Sequence, residues 1–256
     1  MPAERTGRGF LFYDLPLATE RRFGGTLTSE YELFDLACPK GPVLDATMAR
    51  EIRRFRPRRP TEVLEGLELG FGTGLTTRVV LAARPDLRLT ALDSEPQMLP
   101  KARNNLKEWL RGGRLSLKIA DALRFLKKTP SRRYDLIATA ATLHNFPVEY
   151  RSAVWKELAR VLKRGGLFVN ADKYAQSGAA QRGAIKTRMD RYFGVAVPRA
   201  RFDWLKSVVL HYMGDESPER RMGEAAQTAL MRSAGFVKIR RVYRMDMTAV
   251  IVARLG

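Results

Sequence analysis

The sequence predicts an α/β protein built on a parallel sheet with helices on both faces, and three observations carry that prediction. From Val63 to Ala171, short apolar runs alternate with helical patterns, the grammar of repeated strand–helix–strand units. Between the first apolar run and the first helical one stand seven residues, Glu68-Leu-Gly-Phe-Gly-Thr-Gly74. Glycines at such a junction let the backbone turn sharply and approach a ligand. Finally, two β-rich runs, Gly235 to Arg244 and Met247 to Ala253, close the chain across a short polar turn. That spacing suits an antiparallel hairpin, because a parallel crossover needs roughly a dozen residues or more.

Taken in order, residues 1–25 are punctuated by glycine and aromatic residues and read as irregular. Tyr31, Leu33-Phe34 and Leu36-Ala37 predict a helix from Thr28 to Cys38, capped by Thr28 or Ser29, and a second helix covers Val43 to Phe55. The run Arg53-Arg54-Phe55-Arg56-Pro57-Arg58-Arg59-Pro60 breaks regular structure and reads as a solvated linker. These residues, 1–60, form a helical N-terminal cap, and 61–256 the main domain. Val63 to Leu69 is the first strand and Leu75 to Ala83 the opening of a helix. Leu87 to Leu92 is the second strand, followed by a helix from Glu95 to Leu110 with Ser94 as N-cap. Leu115 to Ile119 and Tyr134 to Thr139 are strands three and four, and a helix from Val148 to Leu162 ends at Gly165-Gly166. Leu167 to Ala171 is the fifth strand. The stretch after it, about 173–223, is too long for a simple connection and reads as a helical lid inserted over the ligand face.

Composition bounds the function. The chain has 256 residues, 45% of them hydrophobic, enough for a substantial core and without an apolar run of membrane-spanning length. No apolar signal-peptide core follows the N-terminus, so a cytoplasmic location is expected. One cysteine, Cys38, excludes an intramolecular disulfide, and with only His144 and His211 no metal site is expected. The net charge of +19 is carried mostly by arginine and admits RNA as a partner, although the same excess serves solubility.

Beyond the glycine turn, Asp93 closes the second strand and Asp121 follows the third. In open α/β sheets ligands bind outside the C-terminal strand ends, where a carboxylate after strand two accepts ribose hydroxyls. Asp121 is placed to meet an adenine amino group. Each aspartate alone reads equally well as a helix N-cap, but both after successive strands describe an adenosine-shaped cleft.

From about Val63 to Leu255 the chain resembles the class I S-adenosylmethionine-dependent methyltransferases. The resemblance rests on Glu68–Gly74, Leu92-Asp93-Ser-Glu-Pro-Gln-Met98, Ala120-Asp121-Ala122, Tyr134-Asp135-Leu-Ile-Ala-Thr139, Leu143-His144-Asn145-Phe146-Pro147 and the stretch from Glu157 to Val169. It implies a Rossmann-like, doubly wound, seven-stranded sheet, mostly parallel with a C-terminal antiparallel hairpin. It implies S-adenosylmethionine as cofactor, with Glu68, Gly70, Phe71, Gly72 and Gly74 around the methionine part. Asp93 then serves the ribose and Asp121 with Ala122 the adenine, with Ser94, Met98 and Thr139 as further cofactor-binding residues. A nicotinamide-binding domain is the natural competitor, but its fingerprint is GxGxxG and the spacing here is GxGxG.

On the acceptor side, His144 after strand four and Asp172 after strand five are the catalytic candidates, with Asn145, Tyr174, Arg199, Trp204 and Tyr212 as substrate-facing candidates. Ala138-Thr-Ala-Ala-Thr142 lacks the Asn/Asp-Pro-Pro-aromatic signature of exocyclic-amine nucleic-acid methylation, and the lone thiol precedes the motifs. No acid closes strand four, unlike the metal-dependent catechol enzymes. A methyltransferase acting on a small, anionic or aromatic acceptor is therefore expected, alone or as a homodimer. Two alternatives stand beside it: an RNA-modifying enzyme, including a role like that of the carboxy-S-adenosylmethionine synthases, and a non-catalytic cofactor-binding protein.

Overall fold

In the computed structural model, which describes residues 25–37, 42–59 and 61–256, helices α1 (Thr26–Ser29), α2 (Tyr31–Ala37) and α3 (Pro42–Arg53) precede the sheet. The helix expected from Thr28 to Cys38 is thus α2 with a single turn before it; the Thr28 side chain, Cys38 and residues 1–24 lie outside the described residues. Strands and helices then alternate: β1 (Leu64–Leu69), α4 (Leu75–Ala83), β2 (Leu87–Asp93), α5 (Met98–Asn105), α6 (Lys107–Arg111), β3 (Leu115–Ile119), α7 (Ala122–Lys128) and β4 (Tyr134–Ala140). A 3₁₀ turn (Leu143–Asn145) leads to α8 (Val148–Val161) and β5 (Leu162–Lys173). Helices α9 (Gly178–Ala196) and α10 (Phe202–Asp215) follow, then α11 (Glu224–Ser233) and the hairpin β6 (Phe236–Met245) and β7 (Thr248–Leu255).

The seven strands pair in the order β3-β2-β1-β4-β5-β7-β6. All pairs from β3 to β5 are parallel, and β7 runs antiparallel to both β5 and β6. β1 and β4 are buried along almost their whole length because each is covered on both faces. One face packs Leu44, Met48 and Ile52 of α3, Val80 and Leu81 of α4 and Met98 and Ala102 of α5 against the sheet. The other packs Leu123 and Leu126 of α7, Val154, Trp155 and Leu158 of α8 and Met231 of α11. The order reverses between β1 and β4, so the crevice at their C-terminal ends is the switch point where such sheets take ligands.

Three boundaries differ from expectation. The single helix from Glu95 to Leu110 is two, because Leu106 leaves the helical region (φ −120°, ψ 20°) and buries itself beside Gly74. Ser94 caps neither; α5 begins at Met98 after Gln97, and the Glu95 N–H is taken by Asp93 Oδ1 at 2.9 Å. Gly165-Gly166 does not stop a helix, because Leu162 is already extended (φ −77°, ψ 136°) and both glycines lie within β5. At Gly165 (φ 74°) a Cβ would fall 2.6 Å from the Arg58 side chain, so this glycine admits a neighbour from the linker.

The insertion returns to where it left. Ala175 pairs with Gly223, and its N–H donates to Met222 O at 2.8 Å. Inside it, Tyr192, Trp204, Val208 and Tyr212 form a small third core that includes Leu27 and Ala37 of the N-terminal helices. Arg201 pairs with Glu30, and Thr26 Oγ1 bonds Ser207 Oγ at 2.9 Å. The first two helices therefore belong to the lid, while α3 belongs to the sheet layer. Among the described residues, no helix is long and apolar enough to cross a membrane.

Candidate functional site

β1 delivers the chain to its glycine turn at the switch point. Gly70, Gly72 and Gly74 have φ of 77°, 50° and 90°, but they serve different ends. A Cβ on Gly70 would fall 2.0 Å from Thr142 Oγ1, and one on Gly74 would fall 2.6 Å from Leu106 Cδ1. Both are needed for the protein to close on itself. Around Gly72 the nearest such contact is Tyr31 Oη at 3.8 Å, so this residue marks the open side of the loop. Its N–H groups are largely spent internally. Gly70 and Phe71 donate to Leu92 O (2.8 and 3.0 Å), Gly72 to Asp93 Oδ2 (2.8 Å) and Gly74 to Phe71 O (2.8 Å). A phosphate-binding turn would aim those donors at its ligand.

Side chains therefore set the chemistry of the crevice. Glu68 is fully buried near the end of β1. Asp93 ends β2, its two oxygens receiving the Gly72 and Glu95 N–H groups. Burial pushes its carboxyl above the ordinary aspartate range, against the opposing pull of those two N–H donors. Thr139, buried near the end of β4, has an Oγ1 without a hydrogen-bond partner. Asp121 is the N-cap of α7, accepting from Arg124 N at 2.8 Å, and its second oxygen accepts from Tyr150 Oη at 2.8 Å. The N-cap reading and the ligand reading of Asp121 are thus compatible, with Ala122 beside it opening α7. Met98 and Phe71 point into the first core, so Phe71 offers the loop its backbone, while Ser94 is exposed.

Across the crevice, His144 sits on the 3₁₀ turn after β4. Its Nδ1 lies 2.5 Å from Asp172 Oδ1, a contact that needs the proton on Nδ1. Asp172, at the end of β5 and 1% exposed, also accepts from Lys173 N (2.8 Å) and Leu143 N (2.9 Å). The other imidazole nitrogen, Nε2, lies 3.8 Å from Asp215 Oδ2 on lid helix α10. Lys173 reaches the same carboxylate at 3.4 Å, Glu216 at 2.8 Å and the Tyr212 ring at 4.1 Å. Arg151 fastens this corner: fully buried on α8, it donates to the carbonyls of Leu143, Phe146, Arg220 and Arg221. Burial lowers its pKa to about 10, which leaves it charged at neutral pH.

The two catalytic candidates His144 and Asp172 are brought together, with Asn145 beside them bonding Ala141 O at 3.1 Å. The lid candidates fare differently. Tyr174 is fully buried, its hydroxyl accepting from Asn170 Nδ2 at 2.7 Å, so it is a core residue rather than an acceptor contact. Trp204 is taken up by the third core against Tyr192, with ring centroids 6.2 Å apart. Arg199 is exposed and bonds Val195 O at 3.0 Å within its own turn. Tyr212 meets the corner through Lys173, which lies over its ring face. Sequence reasoning missed His211, Asp215, Arg151 and Tyr150. The first two stand four apart on α10, a spacing that puts them on one helix face.

Residues 67–166 match a family described as "Methyltransferase domain". Among similar proteins is the trans-aconitate 2-methyltransferase of Streptomyces avermitilis, 40% identical over 91 residues, 36% of this chain and 32% of that enzyme. Another is the demethylmenaquinone methyltransferase of Leptospira interrogans, 31% identical over 136 residues, 53% of this chain and 51% of that enzyme. The chain thus spans about half or less of the relatives it matches. In fold it is similar to an O-methyltransferase family protein from Burkholderia thailandensis, with a TM-score of 0.62 at 15% identity over 92% of this chain and 62% of that one.

Proposed function

We propose that this chain, a class I S-adenosylmethionine-dependent methyltransferase by its matched domain and its fold, moves a methyl group from that cofactor to a small acceptor beneath the lid. The observation that carries the reading is the glycine turn at the switch point. Its N–H groups are spent on the protein, so its charged partners are the carboxylates Glu68 and Asp93. That polarity suits a cationic sulfonium and an amino acid ammonium, and does not suit a pyrophosphate. Glu68 and the open side at Gly72 would hold the methionine part and Asp93 the ribose. Asp121 and Ala122 would hold the adenine, with the unsatisfied Thr139 hydroxyl available to the same ligand.

S-Adenosylmethionine supplies an activated methyl group. The protein's own part is alignment, which in favourable systems contributes about 7–11 kcal/mol. The polar corner of His144, Asp172, His211 and Asp215 would hold the acceptor's hydroxyl and favour loss of its proton. An acceptor that arrives as a neutral hydroxyl or enol fits this corner better than a carboxylate, which has no proton to give up. Trp204 is not available to recognise it, since it is packed in the third core.

A second reading, RNA modification, draws on the net charge of +19. Part of that charge lies at the opposite end of the sheet: Arg133 pairs with Glu65 at the start of β1, and Lys163 with Asp135 at the start of β4. Small-molecule transfer is therefore preferred. Incubation with methyl-labelled S-adenosylmethionine and a panel of phenols, enols, carboxylic acids, amines and bulk tRNA tests it. Label in a small hydroxyl or enol compound is expected. Label in tRNA alone, with binding that weakens steeply as salt rises, would replace the proposal by the second reading.

A further inference from the structure

We propose that His144, His211 and Asp215 form a site for a divalent transition-metal cation of the zinc type, bridging lid helix α10 to the turn after β4. The site stands on geometry alone; its use in catalysis rests on the methyl-transfer reading. Both histidines of the chain meet here, although they lie far apart in sequence, and one ligand atom from each of the three residues falls within 4.8 Å of the others. All three residues are buried, at 9%, 9% and 6% exposure. Four ligands held tetrahedrally at zinc's usual bond lengths stand about 3.4 Å apart. The 3.8 Å between His144 Nε2 and Asp215 Oδ2 is already close to that. Small side-chain rotations of His211 and Asp215, neighbours on one face of α10, bring in the rest.

The surroundings are those of a metal ligand set. Asp172 holds the Nδ1 of His144 at 2.5 Å and is itself fixed by two backbone N–H groups, which leaves Nε2 as the ring's outward donor. A carboxylate behind a ligating histidine fixes its tautomer and raises its basicity. Lys173 is the rival cation, 3.4 Å from Asp215 Oδ2. Its shorter ion pair is with Glu216 at 2.8 Å, so Lys173 keeps a counter-charge when Asp215 turns to a metal. Two imidazoles and one carboxylate favour zinc over magnesium or calcium, and three protein ligands leave a fourth position for water or for the acceptor's oxygen. With the acceptor hydroxyl in that position its proton leaves to solvent. The O–CH₃ bond then forms as the CH₃–S bond breaks, and the electron pair of that bond stays on sulfur as a neutral thioether.

Full-length protein stripped with chelator and titrated with zinc chloride by calorimetry tests the site, with tetrahedral cobalt(II) absorption as a second readout. One equivalent of zinc per chain is expected. Binding should weaken at least tenfold in both His211→Ala and His211→Gln, and about 10–100-fold in Asp172→Asn. No zinc binding to the wild type, or equal binding by folded His211→Ala and His211→Gln, overturns the inference. S-Adenosylmethionine is titrated into the same stripped wild-type sample. Cofactor binding without zinc binding overturns this inference alone, whereas loss of cofactor binding overturns the function proposed above.

Discussion

Asp172→Asn isolates the acceptor side of the site. The wild-type carboxylate receives three donors: His144 Nδ1, Leu143 N and Lys173 N. Asparagine keeps one acceptor oxygen and turns an NH₂ group on whatever faced the other, so at least one buried donor loses its partner. A buried donor left unsatisfied costs about 1–3 kcal/mol. For a chain of this size that lowers Tm by about 2–12 °C. Arg151 also loses a nearby negative charge that offsets its burial, which pushes the loss toward the upper end. Methyl transfer should fall by about 10²-fold, the lower end of what a positioned acid–base group contributes. S-Adenosylmethionine affinity should stay within about threefold, because Asp172 serves the other side of the crevice. Thermal denaturation, calorimetry and turnover on one preparation read all three. A Tm and a turnover equal to wild type would refute the role given to Asp172, as would a cofactor affinity that collapses together with turnover.

Two further outcomes follow from the cofactor side. Gly70→Ala places a Cβ 2.0 Å from Thr142 Oγ1 at a φ of 77°, so it should lower Tm by several degrees; adding Thr142→Ala should recover only part of that loss, because the strained φ remains. Cofactor affinity should also depend on pH. Burial raises the Asp93 pKa in the free protein above the ordinary 3.8, and ribose hydroxyls bind its ionised form. Affinity is therefore full above that raised pKa and falls as pH drops through it, and Asp93→Asn should flatten the profile measured by calorimetry.

The sheet was legible because its signals are local. Apolar runs, the glycine turn and the closing polar turn each occupy a few adjacent residues, and β1 to β4 lie within about a residue of expectation. The break at Leu106 was not legible, since its cause is the contact with Gly74 more than thirty positions earlier. Gly165 misled for the same reason: a Gly-Gly pair after a helical pattern looks like a stop, and only the Arg58 side chain explains it. The crevice residues on the cofactor side follow strand ends and could be read in order. The acceptor corner could not, because His211 and Asp215 reach His144 only through the fold of the lid. Trp204 and Tyr174 were expected to face a substrate; the lid's own core claimed Trp204 and the core of the sheet claimed Tyr174.

Titration of S-adenosylmethionine into wild-type protein and Asp93→Ala tests the central claim most directly. Wild type should bind one cofactor per chain. Loss of two hydrogen bonds to a charged group, at about 1.5–3 kcal/mol each, should weaken the variant by about 10²-fold or more. A wild type that does not bind S-adenosylmethionine, or a folded Asp93→Ala that binds it equally well, would contradict the account.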